Sequence, residues 1–308
     1  MNAIHVEGLT KTYGDNEVLK GVHLDILEGE FYALMGPNGS GKTTLISILA
    51  STLLPTSGKV EIYGRRPQEA RDLVGYVPQS NFTIPNLTGR ENLIYFARLL
   101  GHSKAEAAKL ADDLLARLGL SEDAGKRVSA YSGGMRKRLE AATALFPGIK
   151  VMLLDEPTTG LDPSARRRFF GLIQDLRGEA TSILLVTHLG SDAELASRVG
   201  LIDGGRMIGQ GTPEELKEQS GVENVISIET AAKSERAASA LGQFSEDGRV
   251  LETDGGYRLY SRDYERATPE IVRALDQVGA KVLKVESTAP SLDDVFFKMT
   301  GKAVSELD

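Results

Sequence analysis

The spacing of apolar residues changes period several times along the chain, and each change marks an element. Val22, Leu24 and Ile26 alternate with His23 and Asp25, which predicts a half-buried antiparallel strand. Residues 31–35 form a short continuous apolar run, as in a strand buried on both faces; a glycine-rich turn and an apolar helix through Leu53 follow. Further runs at 59–63, 74–77, 151–154, 182–186, 199–202 and 206–208 read as strands. Strands alternating with helical segments predict an α/β fold, a mostly parallel sheet with helices on its faces.

Between residues 85 and 148 the period turns helical. Thr88 and Glu91 form a capping box ahead of Leu93, Ile94, Phe96, Ala97 and Leu100, and Leu110, Leu114 and Leu118 mark a second amphipathic helix stopped by Gly119. A helical block inserted in a sheet domain reads either as a lever arm or as bulk. After about residue 220, Ile226 and Ile228 alternate with Ser227 and Glu229, and Asp254-Gly255-Gly256 separates two strand-like runs as a hairpin turn. Thr268-Pro269-Glu270 is expected to cap a helix with Ile271, Leu275 and Val278 on one face and Gly279 at its end. A strand at 281–286 follows. Ser291 and Asp294 then open a last helix carrying Leu292, Val295, Phe296 and Met299 on one side. The expected division is a large domain over 1–220, with the helical block at about 85–148, and a small α+β domain over 221–308.

Composition narrows the classes. A length of 308 residues suits one large domain plus a small one, and a net charge of -7 argues against a broad grip on nucleic acid. With no cysteine there is no disulfide, thiolate metal site or cysteine nucleophile, as suits a reducing compartment. The start, Met1-Asn2-Ala3-Ile4-His5-Val6-Glu7, lacks the basic and apolar stretches of a signal peptide. A membrane-spanning helix needs about 20 mostly apolar residues, and the runs at 151–154 and 183–186 are far shorter. The expectation is a soluble cytoplasmic chain whose membrane role, if any, runs through a partner.

Gly36-Pro37-Asn38-Gly39-Ser40-Gly41-Lys42-Thr43-Thr44 matches G-x-x-x-x-G-K-[ST] and lies between a strand and a helix, where a phosphate loop has to lie. The glycines let the backbone curl so that its N–H groups converge on phosphates, and the following helix adds the positive end of its dipole. Lys42 would bridge the β- and γ-phosphates of ATP, and the Thr43 hydroxyl would ligate Mg²⁺. A second element, the apolar strand ending in Asp155-Glu156, puts two acids where open α/β sheets hold ligands. Asp155 suits the Mg²⁺ shell and Glu156 the general base that activates the attacking water. An ordinary glycine turn and an ordinary acidic strand end are the bland alternatives; their pairing on one chain argues against both.

Any phosphate-loop ATPase would fit so far. Ser132-Gly133-Gly134-Met135-Arg136 narrows the field, because it resembles the signature motif of ABC ATPases at the family's usual distance before the acidic pair. Ser132 caps a helix running to about Phe146, and Gly133 and Gly134 expose N–H groups at its start. In family order, Tyr13 is similar to the residue that stacks on adenine, and Gln79 to the Q-loop glutamine that senses metal and water. Gly160-Leu161-Asp162 resembles the D-loop at the dimer interface, and His188 the switch histidine at the γ-phosphate. Singly, each has a plain structural reading; in this order and spacing, they do not. His5, His23 and His102 match nothing, and Arg166-Arg167-Arg168 reads as a solvated helix face. The resemblance over residues 1 to about 220 implies a P-loop NTPase ABC cassette, with a RecA-like core and antiparallel β and α-helical subdomains, plus the small C-terminal α+β domain. Tyr131 before the signature serine, Lys137 where glutamine is frequent, and Ser291-Leu292-Asp293-Asp294-Val295-Phe296 resemble the ABC-2 group, the daunorubicin-resistance-type exporter ATPases. Gly190 and Ser191 depart from the bulky or acidic residues frequent after the switch histidine.

The resemblance implies an ATPase at the cytoplasmic face of the membrane. Two cassettes, this chain twice or with a paralogue, would sandwich two ATP, Lys42 and its loop facing the other chain's Ser132, Gly133 and Gly134. An ABC-2 type permease seated near residues 80–100 would take up the motion. An importer subunit, or an ABC ATPase acting on ribosomes or DNA, stays open as an alternative. The cargo is set on the permease and is not legible here.

Overall fold

The computed structural model describes residues 1–303 except 177–179, 222–223, 246–247, 254 and 262–263. A hairpin of β1 (Asn2–Tyr13) and β2 (Asn16–Leu27) leads into β3 (Phe31–Met35), α1 (Lys42–Leu49), β4 (Ser57–Ile62) and β5 (Val74–Val77). Three helices follow: α2 (Gly89–Leu99), α3 (Lys104–Arg117) and α4 (Gly133–Ala142). The chain then runs through β6 (Val151–Asp155), α5 (Pro163–Leu176), β7 (Ser182–Thr187), the single turn α6 (Gly190–Ala193), β8 (Arg198–Asp203), β9 (Arg206–Gly211) and α7 (Pro213–Ser220). Beyond it lie β10 (Val225–Thr230), α8 (Glu235–Gly242), β11 (Leu251–Thr253), β12 (Gly256–Tyr260), α9 (Tyr264–Gln277), β13 (Val282–Thr288) and α10 (Leu292–Thr300).

The central sheet has the order β5-β6-β7-β3-β8-β9, parallel except for β9. The middles of its inner strands are apolar because successive side chains feed two separate cores. Leu34, Leu153 and Leu184 pack with α1 and the antiparallel sheet β2-β1-β4. Ala33, Met152 and Leu185 pack with Phe169, Phe170 and Ile173 of α5. In β2, Val22, Leu24 and Ile26 are buried and His23 and Asp25 exposed, as the alternation predicts. The helices α2, α3 and α4 share their own cluster around Leu93, Ala111, Leu115 and Leu139.

The antiparallel sheet β11-β12-β10-β13 buries Ile226, Ile228 and Leu259 against Leu241 of α8 and Ile271 and Leu275 of α9. Helix α10 packs on both this sheet and the central one. Leu292, Val295 and Phe296 enter the cluster of the central sheet, while Phe297 packs with Val225, Leu251 and Tyr260 of the C-terminal sheet.

Four helix expectations need correction. Helix α1 stops at Leu49 rather than Leu53, because Ser51 turns left-handed (φ 59) and closes the end with Ser51 N–H to Ile48 O and Thr52 N–H to Ser47 O. With no glycine at that position, the stop carries no sequence signal. Helix α4 stops at Ala142 rather than near Phe146; the Thr143 hydroxyl donates to the Glu140 carbonyl at 2.7 Å, and tighter i to i−3 bonds follow. Helix α9 starts at Tyr264, so Thr268 does not cap it and Pro269 lies inside. Val278 and Met299, placed on apolar faces from the sequence, are 36% and 44% exposed. Asp254 of the expected hairpin turn lies outside the described residues; β11 and β12 on either side of it pair antiparallel.

Candidate active site

Register across the sheet sets four strand ends level. Val77 of β5 pairs with Leu154 of β6, Asp155 with Val186 of β7, and Met35 of β3 with Thr187. The residues just beyond those ends are therefore neighbours in space although 36 to 188 in sequence: Gln79, Glu156, His188 and the turn starting at Gly36. Ends of adjacent parallel strands are where open α/β sheets gather ligands.

The turn over residues 36–41 is wound tightly. Gly36 lies against Ile202, whose carbonyl oxygen would be 2.1 Å from a Cβ at that position, and Gly41 has φ 105 with the Leu19 side chain 2.7 Å from where a Cβ would be. Only glycine fits either position. The Ser40 N–H donates to Pro37 O at 3.2 Å and the Ser40 carbonyl accepts from Gly205 N–H at 3.1 Å, which pins the loop to the β8–β9 turn. The buried Ser40 Oγ has no hydrogen-bond partner among the described residues, whereas Asn38, Gly39 and Thr43 are exposed. The loop thus offers an inward polar atom and an open rim.

Lys42, the first residue of α1, is 4% exposed and donates from Nζ to the carbonyls of Gly36 (2.7 Å) and Pro37 (2.9 Å). Its Nζ is 3.9 Å from Glu156 Oε1. Burial pushes the Lys42 ammonium down in pKa, and the Glu156 and Asp155 carboxylates oppose that. Glu156 gathers the rest. His188 Nδ1 is 3.1 Å from Glu156 Oε1, Gln79 Nε2 donates to Oε2 at 3.1 Å, and Thr159 Oγ1 donates to Oε2 at 3.5 Å. Burial alone would raise Glu156, but His188, Lys42 and Thr159 outweigh it and hold the carboxyl below its usual range. Its backbone is left-handed at φ 47, a strained setting for a non-glycine residue that the Glu156 N–H to Val186 O bond holds in place.

Asp155, 1% exposed, accepts from Thr43 Oγ1 at 3.5 Å. Burial and the neighbouring Glu156 charge push it up to about 6, against the pull of Thr43 and Lys42. A buried carboxylate beside a hydroxyl is a hard oxygen pair that fits Mg²⁺. Among the described residues no group of three or more His, Cys, Asp or Glu could hold a metal alone, so the remaining ligands of such an ion would be phosphate oxygens and water.

The signature-like turn expected to meet the phosphate of a second chain lies elsewhere on the surface. Ser132 caps α4 by accepting the Met135 N–H at 3.2 Å, and Ser132 and Gly133 are exposed. With Gly134, Gly160 and Asp162 they line an open groove of about 710 Å³. Asp162 also caps α5, accepting from the N–H groups of Ser164 and Ala165 at 2.9 Å each. Tyr13, half exposed with Lys11 Nζ 5.0 Å from its ring centre, ends β1 beside β2, whose Val18 and Leu19 pack on Gly41. Arg166 does not fit the solvated face expected for 166–168: it is largely buried, 3.8 Å from Asp192.

Profiles of known families match this arrangement. "ABC transporter" covers residues 19–159, and "ATP-binding protein DrrA1-3-like, C-terminal domain" covers 211–300. Daunorubicin resistance ATP-binding protein DrrA3 of Streptomyces coeruleorubidus is 38% identical over 97% of this chain and 96% of its own length. The chain belongs to the ABC transporter ATP-binding subunits of the daunorubicin-resistance type. Nod factor export ATP-binding protein I of Rhizobium etli is 32% identical over 99% of this chain and 96% of its own. Among solved structures, the cassette MJ0796, captured as a dimer in a post-hydrolysis state with ADP and Pi, is 30% identical with a TM-score of 0.62. It covers 68% of this chain and 98% of that one. This subunit therefore binds and hydrolyses ATP as part of an ABC exporter.

Several contacts of the ATP-binding subunit that shape the site escape sequence reading. Thr158 donates to the buried Asp192 of α6 at 2.6 Å, tying the turn after Glu156 to the turn after His188. Lys137 of the signature helix reaches the Gln79 carbonyl at 3.4 Å and the buried Glu140 at 3.5 Å, and Glu140 accepts from Thr83. Gly205, whose Cβ would meet Val18 O at 2.2 Å, is not singled out by any pattern in the sequence.

Proposed function

We propose that two copies of this ATP-binding subunit, or one copy and a paralogue, close around two ATP molecules and drive a separate ABC-2 type permease at the cytoplasmic face of the membrane. Each ATP would lie between the phosphate loop of one chain and Ser132, Gly133 and Gly134 of the other, with Asp162 crossing beside them. The observation that carries this is the contrast between a finished, charge-paired cluster around Glu156 and an open groove at the signature turn that no other described residue of the chain fills. The dimer of the MJ0796 cassette with ADP and Pi supports it by likeness.

Tyr13 would stack on the adenine, the N–H groups of residues 36–44 would cradle the phosphates, and Lys42 would move to the β- and γ-phosphate oxygens. Thr43 and Asp155, with Gln79 beside them, would hold Mg²⁺, which supplies charge neutralisation at the phosphate oxygens. Glu156 takes a proton from the attacking water as its oxygen bonds to the γ-phosphorus and the bond to the β–γ bridging oxygen breaks. His188 orients Glu156 and donates to the γ-phosphate. Cleavage removes the link between the chains and reopens the dimer.

The cassette is assigned to residues 1–220, with the helical arm at about 85–148, and the C-terminal unit to 221–308. Among the described residues no helix is long and apolar enough to cross a membrane. Exposed Tyr95, Leu99 and Leu100 at the end of α2 support permease docking near residues 80–100. Relatives named for daunorubicin resistance and for Nod factor export share this cassette, which favours a cargo chosen by the permease. The test is copurification of the tagged chain from detergent-solubilised native membranes, with ATPase assayed on the eluate. A stoichiometric hydrophobic partner and activity lost in Glu156→Gln are expected. An active ATPase that brings down ribosomes or DNA and no membrane partner would overturn the transport coupling.

A further inference from the structure

Helix α10 begins with two adjacent carboxylates that reach in opposite directions. Asp294 is fully buried and faces its own sheet, accepting from Arg258 (3.3 Å) and the Tyr260 hydroxyl (3.4 Å) of β12 and from the Ser291 N–H (2.8 Å). Asp293 faces the cassette: its Oδ1 accepts the backbone N–H of Gly190 at 3.2 Å, two residues after His188 and at the start of α6. The Leu292 N–H donates to Glu194 at 3.2 Å across the same joint. Gly190 has no space for a side chain, since a Cβ would lie 2.6 Å from one Asp293 carboxyl oxygen and 2.9 Å from the other. The glycine after the switch histidine and the aspartate in the tail fit only as a pair.

The other end of α6 is tied to the catalytic turn. Asp192 accepts from Thr158 and lies 3.8 Å from Arg166, and Thr158 stands two residues after Glu156. This single turn therefore sits between the C-terminal unit and both flanks of the Glu156–His188 contact. We propose that Asp293 is a positioning residue of the ATPase, fixing α6 and through it the direction in which His188 faces Glu156. The C-terminal unit thereby sets the turnover of a site it does not touch. The idea rests on the roles given above to Glu156 and His188.

The full-length chain tests it as five variants: Asp293→Ala, Asp293→Asn, Gly190→Ala, the double variant Gly190→Ala with Asp293→Ala, and His188→Ala. Asp293→Ala is expected to lower kcat for ATP about ten- to a hundredfold, as small misplacements remote from the chemistry do, with KM nearly constant. Hydrogen exchange of the 188–193 backbone speeds up in the same variant. Asp293→Asn keeps an acceptor oxygen and so keeps most of the rate. Gly190→Ala resembles Asp293→Ala, and the double variant is no slower than either, because both break one contact. A wild-type rate or unchanged exchange in Asp293→Ala would overturn the idea, as would Asp293→Asn as slow as Asp293→Ala. His188→Ala separates the layers: if it is slow while Asp293→Ala is fast, only the tail's role falls, and if it turns over at the wild-type rate the switch reading falls and takes this route with it.

Discussion

Around the phosphate loop, Lys42, Glu156, Gln79 and His188 are already locked to one another or to loop carbonyls, and Lys42 and Glu156 are almost wholly shielded from water. Around the signature turn, Ser132 and Gly133 are exposed and face an open groove. The chemistry of the groups explains the difference. A buried charge without a partner costs several kcal/mol, so the charged half has to be assembled inside one chain before nucleotide arrives. Backbone N–H groups at a helix start are satisfied by water at little cost and can wait for an anion brought by another molecule. One half is built by burial and the other by exposure, and in the proposed dimer a site split this way would tie ATP binding to association.

The strongest way to break the charged half is Glu156→Gln. The amide keeps the shape and can still bond Gln79 and His188, but it cannot take a proton from water. Turnover should fall by about 10²- to 10⁴-fold, the usual worth of a general base. Nucleotide is retained, so an ATP-dependent dimer should accumulate. Phosphate release and size-exclusion chromatography with ATP read the two effects, and a rate within tenfold of wild type would move the base to another residue.

The open half is probed by Gly133→Asp. Nothing lies within 4 Å of a Cβ at Gly133, and an acid in the first turn of a helix complements its dipole, so the fold is not at risk. The new carboxylate would face the γ-phosphate of the opposing chain, where like charges in contact cost several kcal/mol. Affinity of the monomer for a fluorescent ATP analogue should stay within about twofold, while the ATP-dependent dimer and hydrolysis fall more than tenfold, in line with that repulsion. If nucleotide affinity of the monomer fell equally, the groove would belong to its own chain's site.

What could be seen in the sequence followed the same division. The continuous apolar strands, the phosphate turn and the acidic strand end were legible because a doubly buried strand and a loop of converging N–H groups each permit few sequences. The links between those parts were not. Tyr131 and Lys137 were noticed as unusual, yet nothing in a one-dimensional pattern says that the Tyr131 hydroxyl fills the space over Gly89, where a Cβ would meet it at 2.0 Å. Nor does it say that Lys137 reaches the Gln79 carbonyl. Gly190 stood out for the same reason, and its counterpart is Asp293, 103 positions along the chain. In both glycine cases a large or charged side chain is matched by a missing one on a distant element. Such pairs are visible only when the fold supplies the neighbour. The ends of α1 and α4 were missed because Ser51 and Thr143 close them with bonds that glycine or proline more often signal.

The smallest effect concerns the joint at Asp293, where a charge is again held inside the chain. Burial is the main cause that pushes this carboxyl up to about 6; Asp294 and Glu194 add to it, and the Gly190 N–H and Arg258 oppose it. Glu194 is itself paired with Lys217 of α7 at 2.9 Å, which tempers its share. A carboxyl with a raised folded pKa contributes most to stability below its unfolded value and loses that contribution as pH rises through about 6. Asparagine at this position has no charge to desolvate. Asp293→Asn should therefore melt a few degrees above wild type at pH 8, with the gap closing as the pH falls toward 5, when Asp293 takes up its proton in the folded chain. Calorimetry at the two pH values reads the difference. If wild type were the more stable at pH 8, the charge-assisted bond to Gly190 would exceed the cost of burying the carboxylate, and the joint would be a stabilising contact rather than a strained one kept for what it holds in place.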